Sequence, residues 1–135
     1  MIRTPIRKVS TKQAAKNRAR AKTYNEVDHE WEAGFCQGCG QWKPVIDHSH
    51  LLSQDDYPDL VANKANIVPH CRDRCHAMWE NPVHRWRLLD FRDNMEFIQR
   101  IDPDQFNEMI GLSDLKVQRH CPWDYEKFLE AIQGF

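Results

Sequence analysis

Residues 36–76, CQGCGQWKPVIDHSHLLSQDDYPDLVANKANIVPHCRDRCH, decide how this chain folds. Two cysteine pairs bracket the stretch, Cys36 and Cys39 in a C-x2-C knuckle and Cys71 and Cys75 in a C-x3-C pair. Zinc takes four tetrahedral soft or borderline ligands, and two short-spaced pairs brought together by a hairpin supply them. Gly38 and Gly40 let the first knuckle turn tightly around its sulfurs. The second pair is one residue wider than the usual spacing, which leaves His70 open as a substitute ligand. A structural Zn2+ on Cys36, Cys39, Cys71 and Cys75 would explain how so short a segment folds, because metal binding there is folding free energy. Cys121 stands outside both pairs and reads as a plain thiol.

Outward from this stretch, a length of 135 residues fits one domain with appendages. Hydrophobic residues at 41% allow only a modest core against 29% charged residues. No run approaches the roughly 18 apolar residues of a membrane helix. No secretory signal opens the chain, so the expected compartment is the cytosol. Thiols stay reduced there, and five cysteines then point to metal rather than to disulfides.

The net charge of −1 hides an asymmetry. Arg3, Arg7, Lys8, Lys12, Lys16, Arg18, Arg20 and Lys22 fall in the first 22 residues with no acidic side chain. The other 113 residues hold 11 basic and 20 acidic groups, a net of −9. A basic arm on an acidic body suits a polyanion such as the phosphate backbone of DNA.

Ser10 or Thr11 can cap a helix through the basic stretch, continuing to about Trp31 and stopping near Gly34. This defines a basic helical arm over residues 1–34. Residues 35–50 read as a turn-rich hairpin with strand character at Val45 and Ile46, residues 53–65 as a loop, and residues 66–69 as a short extended piece. A helical turn opens at Cys75, closing a finger over residues 35–81. Residues 82–135 read as a helical half. Asn81-Pro82 signals a helix with an apolar face on Val83, Trp86, Leu88 and Leu89. That face is a candidate dimer surface, with core packing the simpler use. Asp102-Pro103 starts a helix over residues 103–110, and Pro122 a last one with Trp123, Phe128, Leu129 and Ile132 buried.

A structural zinc finger needs none of the polar residues that lie between and beside the cysteines: Asp47, His48, His50, Asn66 and His76. An aspartate, three histidines and an asparagine around a rigid clasp are the parts of a hydrolytic metal site. The order C-x2-C, Asp-His, Asn, then Cys-His resembles the HNH, or ββα-metal, endonuclease superfamily over residues 36–76, roughly a third of the chain. Asp47-His48-Ser49-His50 is also similar to the Asp-His-x-His segment of endonuclease VII-type nucleases. The run to CRDRCHAMWEN is similar to HNH proteins of bacteriophage and prophage genomes. The C-x3-C spacing departs from the family pattern and could shift His76 by one position.

The resemblance implies a mainly α single domain with a small ββα-metal (zinc-knuckle HNH) finger, acting as a metal-dependent DNA endonuclease. It implies His48 as general base, Asp47 and His76 as ligands of a catalytic Mg2+ or Mn2+, and Asn66 as the residue that holds the loop behind them. His50 stays open as the base, because Ser49-His50-Leu51-Leu52-Ser53 also aligns with the family's histidine segment. Adjacent strand residues face opposite ways, so Asp47 and His48 are expected to share a site in a bent strand end. Glu80 lies one helical turn beyond His76. Lys12, Lys16, Arg18, Arg20, Arg72 and Arg74 are the expected phosphate contacts. Phage or host DNA-processing proteins and a second copy of the chain are the other partners this reading leaves open. The rival reading keeps the zinc and makes the chain a non-catalytic module that docks DNA or protein, and a further one sends the same chemistry to RNA.

Overall fold

Strands β1 (Ile46–His50) and β2 (Ile67–Cys71) pair antiparallel, with Asp47 opposite His70 and His48 opposite Pro69. The computed structural model that gives this register describes residues 10–135. Arg3, Arg7 and Lys8 of the basic arm therefore lie outside the described residues. Helix α2 (Cys75–Glu80) follows β2 after a tight turn. Cys75 opens the helix and Trp79, one turn on, is buried beneath the strands.

The strand partner differs from the expected hairpin within residues 35–50. There the chain closes only by a single bridge between Phe35 and Trp42, and β1 pairs across the long loop instead. Asn66 makes that closure work. It is fully buried, its Oδ1 accepts from Leu52 N at 2.8 Å, and its Nδ2 donates to the carbonyls of Leu52 and Leu60 at 3.1 and 3.3 Å. One amide thus satisfies three backbone groups that would otherwise be costly to bury.

Helix α1 (Thr11–Glu30) is capped by Ser10, whose Oγ accepts from Gln13 N. It is polar almost all round, so propensity and one anchored stripe must hold it. Val27 is fully buried, and the Thr23 hydroxyl donates to Ala62 O at 2.7 Å across to the loop before β2.

Beyond α2 the expected helix at Pro82 is absent. Asn81 instead ends α2, and its Oδ1 accepts from Val83 N in a local turn. A 3₁₀ turn at Arg85–Arg87 follows, and helix α3 begins only at Phe91 and runs to Ile101. On this segment Trp86 and Leu88 face the core, as core packing requires, while Leu89 is exposed. Helix α4 (Pro103–His120) is longer than the sequence signals, passing through Gly111 where a mid-helix glycine costs only about 1 kcal/mol. Helix α5 (Tyr125–Ile132) buries Phe128 fully but leaves Leu129 exposed, as is Trp123 in the 3₁₀ turn Pro122–Asp124 before it, against expectation.

One hydrophobic cluster runs from Cys36, Cys71 and Cys75 through Trp79, Leu88 and Met95 to Val117 and Phe128. The finger region and the helical half share this core, so the chain is one small, mainly helical domain. No helix among the described residues is long and apolar enough to cross a membrane.

Candidate metal and catalytic centre

The knuckle loop, the end of β2 and the start of α2 bring Cys36, Cys39, Cys71 and Cys75 together, with all four sulfurs within 4.8 Å of one another. Tetrahedral Zn–S bonds of about 2.3 Å set sulfurs about 3.8 Å apart, so the cluster can hold one metal ion such as zinc. The wider second spacing is accommodated because its three intervening residues form the turn from β2 into α2. Cys71 N donates to Cys36 Sγ at 3.2 Å and Cys75 N to Cys71 Sγ at 3.3 Å. Such bonds favour thiolates. Burial works the other way and pushes the Cys75 and Cys71 thiols up. A divalent cation resolves that conflict by replacing the protons.

His70 is excluded from the set. It is fully buried, with Nδ1 2.9 Å from Ser49 Oγ and Nε2 2.8 Å from Asp90 Oδ2. Both ring nitrogens are committed away from the sulfurs. Gly38 is required for a different reason from Gly40. A Cβ at Gly38 would lie 2.7 Å from Cys75 Cβ and 2.9 Å from its Sγ, whereas Gly40 has φ +71°.

Beside the thiols, Asp47 and His76 converge from 29 residues apart in sequence: Asp47 Oδ2 lies 2.9 Å from His76 Nδ1. Arg72 holds the same carboxylate, Nη2 and Nε donating to Oδ1 at 2.8 and 3.0 Å. The Arg72 bonds, helped by His76, hold the Asp47 carboxyl below the usual range, so it is anionic at neutral pH. Arg72 is thus tied to Asp47 through Nε and Nη2. Its side chain is 69% exposed and grips the carboxylate from the solvent side. Glu80 Oε1 approaches His76 Nε2 at 3.4 Å from the next turn of α2. Arg74 is exposed at the start of α2.

The two β1 histidines differ. His48 Nε2 lies 2.8 Å from Asp28 Oδ1, and its ring stacks on Tyr24 with centroids 4.1 Å apart and planes 4° from parallel. A carboxylate only accepts, so Nε2 carries the proton, and Nδ1 keeps a lone pair with no partner among the described residues. His50 Nε2 donates to Val61 O at 3.0 Å, and Nδ1 accepts from Gln54 Nε2 at 3.3 Å. Both its nitrogens are engaged. Burial, against the Val61 contact and with the Arg20 charge, pushes its pKa down and keeps it neutral.

The β1–β2 ladder is unbroken through Asp47 and His48, so a bent strand end is not what relates them. They leave opposite faces of β1. His48, His50 and His76 nonetheless line one cleft of about 760 Å³ with Trp79, Glu80 and Arg85. Asn66 acts on this cleft at one remove, through the loop it clamps.

Sequence reading missed Tyr24 and Asp28. Their signal is the i, i+4, i+8 stripe Arg20–Tyr24–Asp28 beside Thr23 and Val27, which places five residues on the face of α1 that covers β1. Among the basic residues of the arm, Lys12, Lys16 and Arg18 are exposed, while Arg20 is half-buried close to His50 and Tyr24.

No protein-family model matches the chain, and no solved structure matches it. Two curated proteins do, the alanine racemases of Vibrio vulnificus strains CMCP6 and YJ016, each 27% identical over 123 residues and 76% of this chain. The chain spans about a third of their length, 34% and 33%.

Proposed function

We propose that the chain is an HNH-type endonuclease that hydrolyses phosphodiester bonds in DNA, with a zinc-clasped finger and one catalytic divalent metal. The observation that carries this reading is the 2.9 Å contact between Asp47 and His76 beside the four clustered thiols. Those two side chains are the ligand pair the family resemblance names; here they share a hydrogen bond, His76 Nδ1–H to Asp47 Oδ2, which a metal ion would replace. The donor set, one anionic carboxylate oxygen and one imidazole nitrogen, fits a hard divalent cation such as Mg2+ or Mn2+. When bound there, such an ion would supply charge neutralisation at the phosphate and the leaving oxygen.

The remaining work belongs to the chain. His48, with Nε2 fixed by Asp28, presents the Nδ1 lone pair to take a proton from the attacking water. Asp28 and Tyr24 keep the ring from rotating. His50, with both nitrogens engaged, holds the loop at Val61. The exposed Lys12, Lys16 and Arg18 can meet flanking phosphates without reading sequence.

One observation favours the rival, a zinc-binding docking module. Asp47 is satisfied by Arg72, and His48 is covered by Tyr24 and bonded to Asp28, as in a purely structural cluster. A plasmid-nicking assay with Mg2+ or Mn2+ separates the two. Wild type is expected to nick, His48→Ala to lose activity and His50→Ala to retain a part of it. Absence of metal-dependent nicking on duplex, branched, single-stranded and RNA substrates would leave the docking module standing.

A further inference from the structure

We propose that the cleft beside the three histidines is a phosphate-binding site and that Arg85 is its anion-binding residue. Arg85 sits on the 3₁₀ turn after α2 and is only 7% exposed. Its Nε is buried with no hydrogen-bond partner among the described residues. The guanidinium carbon lies 5.9 Å from the Trp79 ring centroid, and both side chains line the cleft. Burial lowers its pKa to about 10, which leaves it a cation at neutral pH.

A buried charge without a counter-ion is expensive, and proteins seldom keep one without use. Glu80 and Glu108 line the same cleft, yet neither forms an ion pair with Arg85 among the described residues. The missing partner is therefore an anion from outside. A guanidinium fork matches two oxygens of a tetrahedral phosphate, which it can bind in bidentate fashion. The exposed carboxylates of Asp55, Asp56, Glu80 and Glu108 line the same cleft and repel an anion. A phosphodiester, with a single negative charge, meets less of that repulsion than free inorganic phosphate, which carries more than one at neutral pH.

This deepens the phosphodiesterase reading and rests on it for the identity of the anion, but the test reads binding rather than cleavage. The full chain is titrated without divalent metal, following the Arg85 Nε–H resonance by NMR. The probes are inorganic phosphate, a thymidine dinucleotide with one phosphodiester, and the same dinucleotide with an uncharged methylphosphonate. Arg85 is expected to shift saturably with the diester and more weakly with phosphate, and not with the methylphosphonate. Arg85→Gln should weaken diester binding about ten-fold or more, with Arg85→Lys between.

An Arg85 resonance unmoved by both anions would overturn the proposal, as would an Arg85→Gln variant that binds the diester as tightly as wild type. The wild-type titration decides even if that variant does not fold. Saturation by phosphate alone keeps the anion site and removes the diesterase reading. Nicking that survives in Arg85→Gln, with no anion response, removes this site and leaves the nuclease.

Discussion

Cys75 and His76 are neighbours in the chain with opposite surroundings. The cysteine is fully buried in a closed set of four sulfurs, while the histidine is 35% exposed in its side chain and opens on a cleft. The same turn of α2 thus carries a buried sulfur donor and an imidazole at a solvent edge. A set whose four donors face one another binds a metal to make structure and has no place for substrate. An incomplete set, one carboxylate and one imidazole at a solvent edge, can accept a ligand from outside. The two are joined through the sheet, since Asp47 sits one residue from the ladder pair Ile46–Cys71.

The comparison breaks most completely at the sulfurs. Cys75→Ser, or a strong chelator on wild type, is expected to remove the cooperative unfolding transition of the domain, because Cys36, Cys71 and Cys75 belong to its core. Structural zinc supplies about 10–16 kcal/mol in small fingers at pH 7. Raised thiol pKa values at Cys71 and Cys75 mean that metal uptake releases protons, so metal affinity should rise with pH. Circular dichroism with metal titration at pH 6 and 8 checks both statements. A Cys75→Ser variant that melts like wild type would show that the sulfurs are not a clasp.

At the open site the reverse is expected. His48→Ala should lower nicking by about 100-fold or more, the usual contribution of a general base, while changing the melting temperature little. An equal loss in stability would make His48 a structural residue and erase the contrast.

Gly38→Ala sharpens the boundary between the two. The added methyl meets Cys75 at under 3 Å, so the knuckle must shift. Metal affinity is expected to fall by about 10–100-fold, as when the support of a metal ligand is lost. Nicking at saturating Zn2+ and Mg2+ should largely recover. Competition with a chromophoric chelator measures the first effect and the plasmid assay the second.

The closed site was legible because its residues signal by spacing alone: two cysteine pairs with glycines are rare without metal. The meeting of Asp47 and His76 was legible from residue order. What surrounds them was not. The Arg72–Asp47 pair joins residues 25 apart, and nothing local marks a partner at that distance. Tyr24 and Asp28 lie in a helix whose polar face reads as solvated, and only the position of β1 brings them onto His48. Asn81-Pro82 misled for a local reason. Its turn chemistry is real, with Asn81 Oδ1 on Val83 N, but it ends one helix rather than starting another. Arg85 carries no sequence signal, since burial of an arginine is decided by packing.

The smallest expected effect tests whether the cleft wall is part of the open site or of the rigid frame. Tyr57, on the loop bordering the cleft, donates its hydroxyl to Asp102, the N-cap of α4. That bond raises the Tyr57 pKa to about 12 and holds Asp102 below the usual carboxyl range. An unfolded tyrosine ionises near pH 10 and an aspartate near about 3.9. The phenol's contribution is therefore present below about pH 10 and lost as pH rises towards 12. The carboxylate's contribution is present above about pH 3.9 and lost as pH falls through its depressed folded value. The stability difference between wild type and Tyr57→Phe should then be a low plateau between these limits that closes at both ends. It should be small, because solvent still reaches and screens this half-buried pair. Thermal melts at pH 3, 7 and 11.5 read it. A difference independent of pH would mean that packing of the ring, not the bond to Asp102, anchors the wall, and the loop would then belong to the frame with the sulfurs.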